Sequence, residues 1–203
     1  MKLLDILGFI VIVFILGLCL YIYNDKTDFQ LKCIVSSVDG NKYCVREREQ
    51  LQNAADLLAK ISFKCKKLVN YVYEKYPENE NVQLLHKGFN PKQIVEILPT
   101  SQYTAYSENK GEKIAFCLNK NKKSNDDNSN LIDEDTLTFV AIHELSHVAT
   151  KSIGHKSEFW ANFKFLLQEA KECGVHNPVN YSKTPSDYCG MKINDNPYYN
   201  KSI

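Results

Sequence analysis

The sequence predicts an α+β fold, helices packed on a small sheet, placed after an N-terminal transmembrane helix. Three observations carry this. A charge-free apolar run extends from Ile6 to Tyr23, apolar residues recur at helical spacing in several segments between Arg46 and Cys173, and Lys113–Leu118 alternates as a half-buried strand does. The 203-residue chain divides accordingly into an anchor (1–23), a tether with a small hairpin (24–45) and one globular domain (46–203) with a single core.

As a helix the run Ile6–Tyr23 would measure about 27 Å, close to the hydrocarbon thickness of a bilayer. Tyr21 and Tyr23 at its end suit a membrane interface. It exceeds the apolar core of a signal peptide, and no small-x-small cleavage site follows. The expectation is a retained single-pass anchor and a membrane location, with an orientation that the flanking Lys2, Lys26 and Lys32 do not fix.

Asn24 to Leu31 is polar and reads as a tether. Asp39-Gly40 between Cys33-Ile-Val and Tyr43-Cys-Val suggests a hairpin. From Arg46 to Tyr76, Leu51, Ala54, Leu58, Ile61, Cys65, Leu68 and Val72 form a stripe that Pro77 ends. Read as heptads, the stripe could form an intermolecular coiled coil; small Ala54 and Cys65 favour packing within its own domain. A short helix at Asn81–Lys87 closes at Gly88, and Asn90-Pro91 opens another. Strands are expected at Ser101–Tyr106 and Lys113–Leu118, around Glu108-Asn-Lys-Gly111, then an exposed polar loop from Asn119 to Asn130. Asp133 is a fitting N-cap, with Glu134 and Asp135 in the first turn of a helix that buries Leu137, Val140, Leu145 and Val148. A last helix, about Ser157 to Cys173, carries Phe159, Phe163, Leu166, Leu167 and Ala170 and stops at Gly174. Pro178, Pro185 and Pro197 make the tail extended, with its tyrosines and Met191 across the surface.

The net charge of +1 leaves no global basic field, so a nucleic-acid partner is not evident. Seven cysteines are present, with no C-x-x-C. Cys19 lies in the apolar run. Cys33, Cys44, Cys65, Cys117, Cys173 and Cys189 allow up to three disulfides or none. Two N-x-S sequons begin at Asn180 and Asn200.

The chemistry is concentrated in His143-Glu144-Leu145-Ser146-His147. Histidines four apart project from one helical face about 6 Å apart at Cβ, within reach of one zinc ion at ~2.0–2.1 Å. Glu144 follows the first ligand directly, where its carboxylate can take a proton from a zinc-activated water. A catalytic zinc needs a third protein ligand. His155 is the best candidate, but eight helical residues after His147 would place it ~12 Å away, so the helix must break; Gly154 can supply the break. His176, Glu158 and Glu169 are alternatives, and His86 lies far upstream.

His-Glu-Leu-Ser-His147 followed by Gly154-His155-Lys-Ser-Glu-Phe159-Trp160 resembles the zincin proteases of the SprT-like and WLM groups. The motif-bearing part runs from about Leu131 to Ala170. The whole chain is also similar to uncharacterised WLM-like proteins of large DNA viruses, which pair such a core with an N-terminal span. The resemblance implies a zincin-like metalloprotease domain, His143, His147 and His155 as zinc ligands, and Glu144 as general base. It implies a protein or peptide substrate aligned by strand addition, with Lys113–Leu118 as the edge strand. Tyr181, Tyr188 or a backbone amide would serve the oxyanion. Family members process proteins, notably proteins crosslinked to DNA. This chain departs from them in its apolar N-terminal run and in lacking an evident basic region. The leading expectation is a membrane-anchored zinc peptidase. An inactive zinc-binding interaction domain and an oligomeric membrane scaffold built on residues 51–72 are the alternatives.

Overall fold

The computed structural model describes residues 3–27, 31–98, 100–122 and 131–201, with first-helix side chains described for 7–21. Residues 28–30 of the expected tether and 123–130 of the expected polar loop lie outside these. The elements in order are α1 (Leu3–Thr27), β1 (Leu31–Val35), β2 (Lys42–Arg46), α2 (Leu51–Lys75), α3 (Glu80–Gly88) and β3 (Ile94–Glu96). There follow β4 (Ala105–Glu108), β5 (Lys113–Phe116), α4 (Glu134–Ala149), α5 (Ser157–Glu172), β6 (Ser186–Tyr188), β7 (Met191–Ile193) and a 3-10 turn at Pro197–Tyr199.

The expectation of a transmembrane anchor at Ile6–Tyr23 is not upheld. Among the described residues no helix is long and apolar enough to cross a membrane. The fold is therefore a mixture of helices and small sheets without an established membrane element, and the membrane location expected from that run is withdrawn with it. The helix also continues through Thr27, into the segment expected to be a tether.

Cys33 and Cys44 sit opposite each other in the β1–β2 hairpin and are joined by a disulfide. The α2 stripe turns inward: Ala54, Leu58, Ile61, Cys65, Leu68 and Val72 are buried, against α3, α4, α5 and β2. That burial uses up, within the chain, the face that a coiled-coil seam would need.

The helix expected at Pro91 is instead a turn leading into a strand. The Asn90 side chain accepts from the Lys92 amide (3.1 Å) and Gln93 N–H donates to Asn90 O (3.2 Å), after which β-branched Ile94 and Val95 continue as β3. This strand pairs in parallel with β5, and β4 pairs antiparallel on the other side, giving the order β3-β5-β4. Lys113–Phe116 is thus the central strand, with Ile114, Ala115 and Phe116 fully buried. The accessible edge is β4. Glu96, at the end of β3, is buried and held by the guanidinium groups of Arg46 (3.1 Å) and Arg48, so this inward charge is paired.

Asn119, expected in the exposed loop, is buried and bridges to Leu131. The tail is more ordered than its prolines suggest. β6 and β7 form a hairpin whose two turn residues, Cys189 (φ 53) and Gly190 (φ 81), are left-handed, as a tight two-residue turn requires. A disulfide to Cys117 fastens the hairpin to the end of β5. Tyr181 and Tyr188 are buried rather than spread on the surface.

The turn between β4 and β5 is pressed against the end of α3. Gly111 has φ +102, and a Cβ there would lie 2.8 Å from Gly88 O and 2.9 Å from a Val148 methyl of α4. Replacing Gly111 by Ala is expected to destabilise the protein by about 2–4 kcal/mol, from backbone strain plus overpacking. Denaturant unfolding measures this, and an unchanged midpoint would contradict the packing described.

Candidate metal centre

Helix α4 begins where Asp133 caps it: the Asp133 carboxylate accepts from the Thr136 amide and from the Thr136 hydroxyl, each at 2.8 Å. It ends at Ala149, with Thr150 as C-cap. His143 and His147 stand one turn apart on it, ring centroids 5.0 Å apart. The chain then turns back through Gly154 (φ +82), which adopts a conformation other residues avoid. This returns His155 to the helix. Its Nε2 lies 3.1 Å from His143 Nε2 and 3.2 Å from His147 Nε2. All three candidate ligand atoms lie within 4.8 Å of one another, so His143, His147 and His155 form a group that could hold a metal ion. Nitrogens around a tetrahedral ion at ~2.0–2.1 Å would be about 3.3 Å apart, close to the two separations seen. The donor set fits.

Phe159, from the first turn of α5, packs on all three rings at centroid distances of 4.9, 4.3 and 4.6 Å. This apolar floor desolvates the imidazoles. Burial, with a smaller contribution from neighbouring rings, pushes His143 down to about 3. Burial and then His155 and Lys110 push His147 down to about 4. Both are neutral near pH 7, as ligation requires.

Glu144 is buried, and burial pushes its carboxyl up to about 8 against the stabilising amide of Ser107. That amide belongs to β4. Cys117 N–H donates to Thr104 O, so Thr104 faces β5, and by strand alternation Ala105 and Ser107 turn their backbone groups outward. They line a cavity of about 900 Å³ that also holds Glu144 and the three histidines. Its remaining walls are largely apolar, including Tyr106, Phe139, Tyr188 and Ile193.

The other candidates lie elsewhere. The Glu158 carboxylate accepts from the amides of Lys151 (3.2 Å) and Ser152 (3.3 Å). Glu169 is bonded to Lys75 and the Tyr76 hydroxyl, both at 2.9 Å. His86 stacks on Tyr73 at 3.8 Å, and His176 is buried beside Phe139. Of the two tyrosines considered for an oxyanion, Tyr188 lines the cavity, with its hydroxyl donating to Thr104 O at 3.0 Å. Tyr181 packs edge-on against Phe139 outside the lining. Sequence reasoning missed Ser107 and Lys110, which reach the site only through the β4–β5 hairpin.

These shifts contribute to how the metal-free protein responds to pH. His143, His147 and His176 have depressed values (the last about 4, by burial). Their contribution is present above the unfolded value near 6.5 and is lost as pH falls through the folded values. Glu144 is raised, so its contribution is present at low pH and is lost as pH rises from about 4.5 through about 8. Between pH 4 and 8.5 these groups give a stability maximum near about pH 7. Glu144→Gln is expected to flatten the decline above the maximum and to steepen the rise below it, because the Glu144 contribution is lost across the whole interval from about 4.5 to about 8. Urea unfolding of metal-free protein across pH tests it; an alkaline limb unchanged by the substitution would contradict it.

Fold and site together define a small mixed helix-and-sheet protein with a three-histidine group able to hold a metal ion beside a buried carboxylate. No family model matches the chain, and no solved structure matches it. It is similar to an uncharacterized protein of Acanthamoeba polyphaga mimivirus, 25% identical over 180 residues that cover 87% of this chain and 89% of the relative. It is also similar to an uncharacterized protein of Invertebrate iridescent virus 6, 38% identical over 66 residues, 32% of this chain and 35% of that protein.

Proposed function

We propose that this protein is a zinc-dependent peptidase of the kind its motif resembles in the SprT-like and WLM groups, with His143, His147 and His155 as zinc ligands and Glu144 as general base. The observation that carries the reading is the convergence of three Nε2 atoms beside a buried carboxylate, on the wall of a cavity bordered by a sheet edge. Zinc at such a site supplies a Lewis acid and makes a water acidic enough to react near neutral pH. Glu144 takes the proton of the attacking water and passes it to the leaving amine. Its elevated proton affinity in the metal-free state supports that role: the carboxylate sits in a dry environment, held by one amide, and a nearby dication would draw it back toward ionisation.

The substrate main chain lies against β4, not β5, because β5 is paired on both sides. Ala105 offers it an outward amide and carbonyl and Ser107 its carbonyl, the Ser107 amide being engaged by Glu144, and the apolar cavity takes adjoining side chains. The test is metal analysis of the full chain with a peptidase assay on unfolded protein substrates, alongside Glu144→Gln. Chelator-sensitive cleavage that disappears in the variant is the expected result. Stoichiometric zinc without any Glu144-dependent cleavage would instead favour a zinc-binding interaction domain.

A further inference from the structure

The third ligand sits on a segment whose first residue, Thr150, is buried and bonded to Ser146 O and Asn162, and whose middle is exposed. Between α4 and α5, residues 150–156 form no regular element; Ile153 is 86% exposed, and among the described residues nothing lies within 4 Å of where a Gly154 Cβ would be. His155 itself is exposed. Apart from the His155 ring, which rests on Phe159 and Trp160, the loop has few apolar contacts; such a loop samples many arrangements unless its backbone groups are tied, and here two opposite charges tie them.

Lys110, at the tip of the β4–β5 turn, directs its ammonium at the carbonyl side. Its Nζ donates to Thr150 O at 2.5 Å, and at longer range to His147 O (3.4 Å) and Ser152 O (3.5 Å). It thus caps the C-terminal end of the helix that bears His143 and His147, where a cation is favoured. Glu158, in the first turn of α5, takes the amide side, accepting from Lys151 N–H and Ser152 N–H. An anion near a helix N-terminus is favoured for the converse reason. The indole of Trp160 completes the anchoring by donating to His155 O at 3.1 Å. The backbone delivering Lys110 is itself unusual: Asn109 (φ 47) and Lys110 (φ 57) are consecutive non-glycine residues in the left-handed region, which such residues rarely adopt.

Resting on the metal-site reading above, we infer that Lys110 and Glu158 are positioning residues for the third ligand. They clamp the 150–152 peptide groups from opposite sides, so that His155 is held at the His143–His147 pair before any metal arrives. Neither side chain is a ligand. Their effect is on metal affinity, through preorganisation: with the clamp released, binding must also order the loop. Partners that orient ligands in this way are worth about 10–100-fold in metal affinity.

The test is competitive zinc titration of full-length wild type, Lys110→Met, Lys110→Arg and Glu158→Gln, with cobalt absorption as a reporter of coordination geometry. Lys75→Met is the control, removing contacts to Glu169 and Glu172 far from the loop. Lys110→Met and Glu158→Gln are each expected to weaken zinc affinity by about 10–100-fold and to lower the tetrahedral cobalt band, with partial recovery in Lys110→Arg. Lys75→Met should lower the melting temperature of metal-free protein and leave zinc affinity unchanged. Should Lys110→Met fail to fold, Glu158→Gln decides alone. Affinities within twofold of wild type in both variants, or an equal loss in Lys75→Met, would overturn the inference. A wild type that binds neither zinc nor cobalt removes the metal site and this inference together. A wild type that binds zinc but cleaves nothing ends only the peptidase reading.

Discussion

Glu144→Gln is expected to lower peptide hydrolysis by about 10²–10⁴-fold while leaving zinc affinity within a few-fold of wild type. The first half follows from what Gln lacks: the same shape, but no group that can accept and return a proton at pH 7. The second half follows from geometry. The three histidines converge without Glu144, so removing its charge takes away no ligand. The substitution should also be well tolerated by the fold. Glu144 is 4% exposed and accepts from the Ser107 amide; the Gln carbonyl keeps that bond and removes a carboxylate that burial already disfavours. Activity, zinc content and unfolding midpoint measured on one preparation separate the possibilities. A loss of zinc along with activity would place Glu144 on the metal and contradict the proposed role as base.

What could be read from the sequence was local. The pairing of His143 with His147 follows from helical spacing alone, and the helical rise already demanded a break before His155; the helix ends earlier than expected, at its Thr150 C-cap, and Gly154 with φ +82 turns the loop that follows. Asp133 capping was legible for the same reason, since an N-cap is decided within four residues. Non-local features escaped. Asn90-Pro91 is as good a start for a turn as for a helix, and only the pairing of Ile94–Glu96 with β5 settles it as a strand. That same pairing moved Lys113–Phe116 from the expected edge to the centre and left β4 as the accessible edge, the strand to which the proposed substrate alignment falls. The β6–β7 hairpin turns on Cys189-Gly190, a pair without the usual Asn-Gly signature, held by a disulfide to a residue 72 positions away. The apolar run at Ile6–Tyr23 was judged from composition and length, which describe a transfer free energy and not a location. Lys110 carries no motif; it matters because Gly88, Gly111 and Val148 pack together and set the turn down at the end of α4.

His155→Ala is expected to weaken zinc binding by more than the roughly 10–100-fold that loss of a supporting contact costs, and to abolish activity with it. Two histidines on α4 leave an ion half-coordinated by protein, whereas a catalytic site uses three protein ligands and keeps one position open. Because His155 is exposed on a loop, its removal should shift the melting temperature of metal-free protein by no more than about 2–4 °C, the equivalent of ~1 kcal/mol in a chain of this size. His176→Ala should behave in the opposite way. That imidazole is buried, 3% exposed, and its nitrogens have no hydrogen-bond partner among the described residues. Its truncation should open a cavity and cost about 2 kcal/mol of stability while zinc affinity stays put. The pair of variants therefore sorts ligand from core by two independent readouts. Zinc affinity lost in His176→Ala and kept in His155→Ala would reassign the third ligand and, with it, the purpose of the turn at Gly154.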